Sequence, residues 1–305
     1  MELFDWELLG STMRMVTPIL LAALGGALCA RVGIFNVGLE GLILIGAFSA
    51  IVGNYFFNSI LIAILFSAGI TILFSLLFGY LSIHLKANVI VVGIALNFLA
   101  MGLTTFGLST IFGVKGAFYD KEMVGLPKMD LPLLSDIPYV GVLFSNHSPL
   151  VYFAFLVAII LYLFLYKTVI GFRVLAVGMN EVAARSIGLK TVRLQYLAII
   201  LCGVLCGLAG AQLSLGQVTM FTEGMTAGRG FIALVAMMLG QSHPLGIIGS
   251  SFLFGLMDAI SIRLQGFSMP TQFTAMLPYL ITIFAMFFLK NRGASSELSG
   301  QQSSR

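Results

Sequence analysis

The stretch GMNEVAARSIGLKTVR, Gly178–Arg193, lies between two long apolar runs. It reads as a short helix. Asn180 suits an N-cap, Glu181 suits the positive end of a helix dipole, and Gly188 suits a C-terminal cap. A helix of about two turns is marginal in water, because nucleation costs more than so few hydrogen bonds return, so packing must hold it. Ala183, Ala184 and Ser186 are small enough to let a partner approach closely, while Val182 and Ile187 offer modest apolar contact. On the residues alone two readings stand: a helix lying on the membrane or its own bundle, or one pressed by another protein.

The surroundings of this stretch set the fold class. Of 305 residues, 59% are hydrophobic and 9% charged, with a mean hydropathy of +1.05. That is far outside the range of soluble domains, and it predicts an all-α polytopic membrane protein. A span needs about 20 apolar residues to cross roughly 30 Å of hydrocarbon. The chain offers about nine such runs (eight to ten), near 14–30, 37–55, 60–83, 88–112, 150–166, 194–216, 230–242, 246–262 and 271–289. The seventh is short for a complete crossing. The acidic start, MELFDWELLG, is the opposite of a secretory leader, so no cleaved signal is expected. Cys29, Cys202 and Cys206 lie inside apolar runs and read as helix packing; neither they nor the scattered His84, His147 and His243 suggest a metal site.

Orientation follows from Lys and Arg, which concentrate in cytoplasmic connections. Nine spans put ten of them in one set of connections (31, 86, 167, 173, 185, 190, 193, 290, 292, 305) and six in the other. The richer set is expected to be cytoplasmic, with the N-terminus outside and the C-terminus inside. The chain then reads as one transmembrane domain, 1–290, in contact with membrane lipid, followed by a disordered cytoplasmic tail, 291–305. The external loop is 113–149, broken by Pro127, Pro132, Pro138 and Pro149, and its nearly balanced charge argues against a nucleic-acid partner. The inner loop is 167–193, with five basic residues against Glu181.

Few polar groups enter the spans. Glu40 is costly near an apolar run and a functional candidate by default. If Asn36 caps the second span, the free N–H groups and dipole of that same helix can stabilise it. Asn97, in the middle of a span, is the best single candidate for contact with a polar solute; Gln212, Gln217 and Asp258 follow, with Arg263 as a pairing partner for Asp258. GGALCARVGIFNVGLEG has an echo in AGAQLSLGQVTMFTEG that would pair Glu40 with Glu223, and paired interruptions in transporter repeats tend to mark the solute path. Gly203, Gly207 and Ala211 form a small-residue face for close helix packing.

Three segments carry a resemblance. The pattern of Gly178, Asn180, Ala183, Ala184, Gly188 and Leu189, followed by CGVLCGLAGAQLSLG, resembles the coupling loop and next helix of bacterial ATP-binding-cassette importer permeases of the ribose and branched-chain amino acid group. RVGIFNVGLEGLILIGAFSA, with Gly33, Asn36, Gly38, Glu40, Gly41, Gly46 and Ala47, resembles the nucleoside (guanosine-type) branch, and TAGRGFIALVAMMLG, 226–240, is a third match.

The resemblance implies a type II importer-like permease in the bacterial plasma membrane, working by alternating access without a cofactor. A cytoplasmic ATP-binding subunit would dock on Gly178, Asn180, Glu181, Ala183, Ala184, Arg185 and Gly188. A second, related permease chain, in a heterodimer, and an external substrate-binding protein or lipoprotein would complete the system. Asn36, Glu40, Asn97, Gln212 and Glu223 are the candidate pathway residues. The chain has no G-x-x-x-x-G-K-[ST] phosphate loop and so is not its own motor; LSLGQ, 213–217, and LSGQQ, 298–302, are chance look-alikes of an ATPase signature. A ribose-type sugar permease is the alternative within this class, and an ion-coupled secondary transporter the alternative outside it.

Overall fold

The computed structural model describes residues 6–129 and 146–265, together with Met276 and Leu280. The helices are α1 (Trp6–Ala30), α2 (Leu39–Phe57), α3 (Ile60–Gly79), α4 (Val89–Phe112), α5 (Pro149–Lys167), α6 (Val169–Met179), α7 (Glu181–Ser186), α8 (Thr191–Ala211), α9 (Arg229–Leu239) and α10 (Pro244–Gln265). π-Helical turns extend α3 through Tyr80–His84 and α8 through Gln212–Val218. Two short strands, β1 (Ala117–Phe118) and β2 (Phe221–Thr222), pair antiparallel.

Local chemistry sets several boundaries. The Asn88 side chain accepts the Ile90 N–H at 2.9 Å and starts α4, which Gly113 ends at φ +68°. Pro149 opens α5, where a missing N–H costs nothing. The Thr168 hydroxyl accepts the Gly171 N–H at 3.1 Å and turns the chain into α6, a helix within the connection expected at 167–193.

Among the described residues, seven helices are long and apolar enough to cross a membrane: α1 to α5, α8 and α10, counting the π extensions. The expected seventh crossing is composite, because the helix at 230–242 is only the 11-residue α9, preceded by the non-helical segment 219–228. The ninth expected run, 271–289, the outer part of the 113–149 loop and the 291–305 tail lie outside the described residues, apart from Met276 and Leu280.

The bundle has two distinct ends. One gathers Arg31, Lys86, the α5–α6 junction, α7 and the Gln241–Ser242 turn; we call it the basic end. The other gathers the start of α1, the β1–β2 pair, the start of α5 and the end of α10, where Arg263 lies 3.8 Å from Glu7.

Helices α1, α2 and α8 form the centre, with 83%, 78% and 78% of their most apolar windows buried, whereas α3 and α4 have 22% and 28% and present Leu61, Leu65, Phe98 and Phe106 outward. Helix α2 packs on α3, α4, α8 and α9, and α1 on α8, α9 and α10. The close crossings use glycine. A Cβ on Gly203 would meet Ile72 Cα of α3 at 3.0 Å, one on Gly46 would meet Gly207 Cα at 3.0 Å, and one on Gly210 would strike the backbone of Ile43, Gly46 and Ala47. Ser67 then bonds across, donating to the carbonyls of Gly46 (2.8 Å) and Gly207 (3.0 Å). Such interhelical bonds contribute about 0.6 kcal/mol each.

Candidate functional site

At the basic end, α7 is built as its sequence suggests. The Asn180 side chain accepts the Ala183 N–H at 3.0 Å, and Gly188 turns the chain at φ +85°. The helix is six residues long, and Leu189 N donates back to Ala184 O at 3.1 Å to close its end. Glu181 ties it to α8: its carboxylate meets Arg185 at 2.8 Å, accepts from Thr191 Oγ1 at 3.3 Å and from Gln195 Nε2 at 3.4 Å. With Arg185 65% exposed, the ion pair itself contributes little; the tie to the buried Gln195 is what holds the helix in place. A cavity of about 510 Å³ lies beside α7, lined by Ser82, Lys86, Glu181, Val182, Arg185 and Gln195.

The two alanines behave differently. Ala184 is 3% exposed within its own chain, while Ala183 faces outward. The expectation that both are small for an external partner is therefore corrected: the fold itself presses on Ala184. The outward surface carries larger side chains instead, with Met179 88%, Val182 76% and Ile187 76% exposed. Gly178 is fixed by the fold as well, since a Cβ there would strike the Arg31 carbonyl.

Glu40 is held by a helix other than its own. Helix α2 begins at Leu39 with Gly38 as N-cap, and the Asn36 side chain accepts the Gly38 N–H at 2.9 Å in a local turn. Asn36 is thus not the expected cap, but Glu40 still lies in the first turn of α2, where the dipole of that helix favours it. The N–H groups that its carboxylate accepts belong to Gly228 (2.9 Å) and Gly230 (2.6 Å), at the N-terminus of α9. These are charge-assisted bonds at the positive end of a helix. Arg229 between them donates to Asp258 at 3.0 and 3.1 Å, so the expected Asp258–Arg263 pair is replaced by Asp258–Arg229. Gly230 must lack a side chain because a Cβ would strike Glu40 itself.

Asn97 joins α4 to the start of α2. Its Oδ1 accepts the Gly41 N–H at 2.8 Å and its Nδ2 donates to the Val37 carbonyl at 3.2 Å. An amide in this position satisfies backbone groups that a helix start leaves open. Asn97→Leu is expected to destabilise the protein by about 1–3 kcal/mol by orphaning them, read as a lowered melting temperature of the detergent-purified chain. An unchanged melt with altered uptake would instead assign Asn97 to solute.

The remaining candidates are apart from one another. Gln212 is fully buried, its Oε1 accepting from Ser148 Oγ at 2.7 Å, while its Nε2 finds no partner among the described residues. Gln217 Nε2 donates to the Arg14 carbonyl at 3.1 Å. Glu223 accepts the Gly116 N–H at 3.0 Å beside the β1–β2 pair. Glu40 and Glu223 thus have unlike partners, a helix N-terminus in one case and a strand end in the other. Glu223 also borders a groove of about 670 Å³ along the exposed face of α4, with Gly102, Thr105, Phe106, Ser109 and Lys115. Sequence reading missed this face. The spacing of Gly102, Thr105 and Ser109 along one helix side was the available signal, hidden in a continuously apolar run. Among the described residues no group of His, Cys, Asp or Glu is arranged to hold a metal.

Comparison with known proteins places these features among relatives. Residues 8–286 match the family described as "Branched-chain amino acid transport system / permease component". The guanosine ABC transporter permease protein NupQ of Bacillus subtilis is 33% identical, over 95% of this chain and 94% of its own. The nucleoside ABC transporter permease protein NupC of Lactococcus lactis is 36% identical, over 93% and 92%. TsgC13 of Haloferax volcanii, provisionally named a glucose ABC transporter permease protein, is 32% identical, over 97% and 95%. Each of these organisms contributes a second, more distant relative, NupP, NupB and TsgB13, each 24% identical.

Proposed function

The chain belongs to the permease-component family of branched-chain amino acid transport systems, and from that premise we propose that it carries nucleosides across the membrane. As a member it is a multi-pass membrane subunit of an ATP-binding-cassette transporter and not an enzyme; ATP is hydrolysed by a separate subunit. The observation that carries the mechanistic reading is α7. Three large apolar side chains stand exposed together at this place: Val182 on the six-residue helix that Glu181 ties to α8, Met179 at the end of α6, and Ile187 just past the end of α7. An apolar surface this prominent at a charged end fits a protein partner, and in this family the partner is the ATPase. The basic end is then cytoplasmic and the N-terminus external, in line with the bias in Lys and Arg.

The pathway is assigned to the exposed face of α4, shared with a second, related permease chain. Thr105 and Ser109 bring hydroxyls to a face otherwise made for lipid, and Glu223 and Lys115 stand at its mouth. NupP with NupQ, and NupB with NupC, are pairs of related permeases in one organism, which favours a heterodimer. An external binding protein or lipoprotein would deliver solute. Within this arrangement Glu40, Asn36 and Asn97 shape the start of α2, and Gln212 lies deeper in the bundle.

The nucleoside reading follows the names of NupQ and NupC; TsgC13 is the reason a sugar is the second reading. The test is ATP-dependent uptake of labelled guanosine by the reconstituted transporter with its ATPase, second permease and binding protein. Competition by unlabelled nucleosides and none by glucose is expected. Uptake of glucose without guanosine would transfer the assignment to sugars.

A further inference from the structure

Helix α9 is held at both ends by charged side chains from one short stretch of chain. At its C-terminal end, Arg31 donates from Nε to the Ser242 carbonyl (2.9 Å) and from Nη2 to the Gln241 carbonyl (3.0 Å). At its N-terminal end, Glu40 accepts from Gly228 and Gly230. Each charge matches the sign of the helix end that it meets. Between the clamps lie 11 residues, a rigid rod of roughly 16 Å. Arg31 is also the residue whose carbonyl meets Gly178, immediately before Met179 and α7. Beyond the Glu40 clamp, the segment 219–228 is extended and turned, with Thr219, Gly224, Ala227 and Gly228 all at positive φ. Two of these are not glycine, so the segment is held in conformations that it would not adopt alone.

We propose that α9 is a strut that carries movement of the α7 docking helix to the 219–228 segment at the far side of the bundle, with Arg31 and Glu40 as positioning residues at its two ends. Movement of α7 acts through Gly178 on Arg31, and Arg31 acts on the C-terminal end of α9. The rod passes the displacement to its N-terminal end, where Glu40 and the Arg229–Asp258 pair decide whether 219–228 stays seated. The two clamps therefore have opposite failures. Without Glu40 the segment is released whatever the ATPase does; without Arg31 it stays seated whatever the ATPase does.

Thr226, 2% exposed in this segment, is the reporter. A Thr226→Cys substitution is placed in the whole transporter in nanodiscs, and its labelling by a membrane-impermeant maleimide is followed without nucleotide and with ATP and vanadate. Cys29, Cys202 and Cys206 are buried in the bundle and give a low background. With both clamps intact, the labelling rate is expected to differ by about tenfold between the two states. Glu40→Gln makes labelling fast in both states and Arg31→Ala slow in both. General loosening would make both variants fast, so the opposite signs distinguish a strut from a merely structural role. The proposal is overturned if the intact protein shows no difference between the states, or if the two variants assemble and keep it. Should either variant fail to assemble, Glu40→Asp and Arg31→Lys replace them, with a reduced difference expected and an unchanged one fatal. The inference rests on the ATPase-docking reading but not on the solute, since labelling needs none. Loss of the ATPase from the unsubstituted complex would overturn docking and strut together, whereas a failed labelling pattern with the ATPase present would overturn the strut alone.

Discussion

Val182→Glu is expected to strip the ATPase from the purified transporter and abolish ATP-driven uptake while leaving the permease folded. Val182 is 76% exposed and contributes nothing to the core of its own chain. In a docked complex its burial stabilises by about 1.5–3 kcal/mol, and a carboxylate in the same place adds desolvation without a partner. Together these lower the affinity by roughly a hundredfold or more. The measurement is co-purification of the ATPase on a tag carried by the permease, with gel filtration to verify an intact bundle. Retained ATPase would sink the docking assignment. Ala183→Trp should act in the same direction because Ala183 faces outward. Ala184→Trp, by contrast, should damage the permease itself, because Ala184 is buried against its own fold.

Gly210→Val should prevent the bundle from closing. The new side chain would strike the backbone of α2 at Ile43, Gly46 and Ala47, and backbone cannot move aside as a flexible side chain can. Overpacking typically costs about 1–3 kcal/mol, and occasionally more, a large share of a marginal stability. Monodisperse yield and melting temperature in detergent read the effect. Gly69→Ala is the control, since nothing lies within 4 Å of a Cβ there. Equal behaviour of the two variants would show that the α2–α8 crossing does not limit stability.

The sequence made some of this legible because some signals are local. Asn180, Glu181 and Gly188 act on neighbours a few residues away, and the runs of apolar residues state their own lengths, so α7 and the long helices could be read directly. Glu40 could not be read in this way. Its position near a helix start suggested its own helix as the source of N–H groups, whereas the donors come from Gly228 and Gly230, 188 and 190 residues away. The same limit applies to Asp258: Arg263 was close in sequence, Arg229 close in space. At Ala184 small size meant contact, as expected, but the residue type does not say which chain supplies it. The α4 groove was hidden because a hydrophobic run shows no period when lipid, protein and solute all border it.

The central position of α1 and α2 has a consequence for biogenesis. These helices are made before α8, α9 and α10, which enclose them. Throughout that interval Gly46 lacks Gly207 across from it and the Glu40 carboxylate lacks its donors on α9, a costly state within a bilayer. The early half of the chain is therefore a poor folding unit. Its completion depends on contacts between segments far apart in the sequence, the kind that forms slowly, and the membrane-insertion machinery must hold the earlier helices until the later ones arrive.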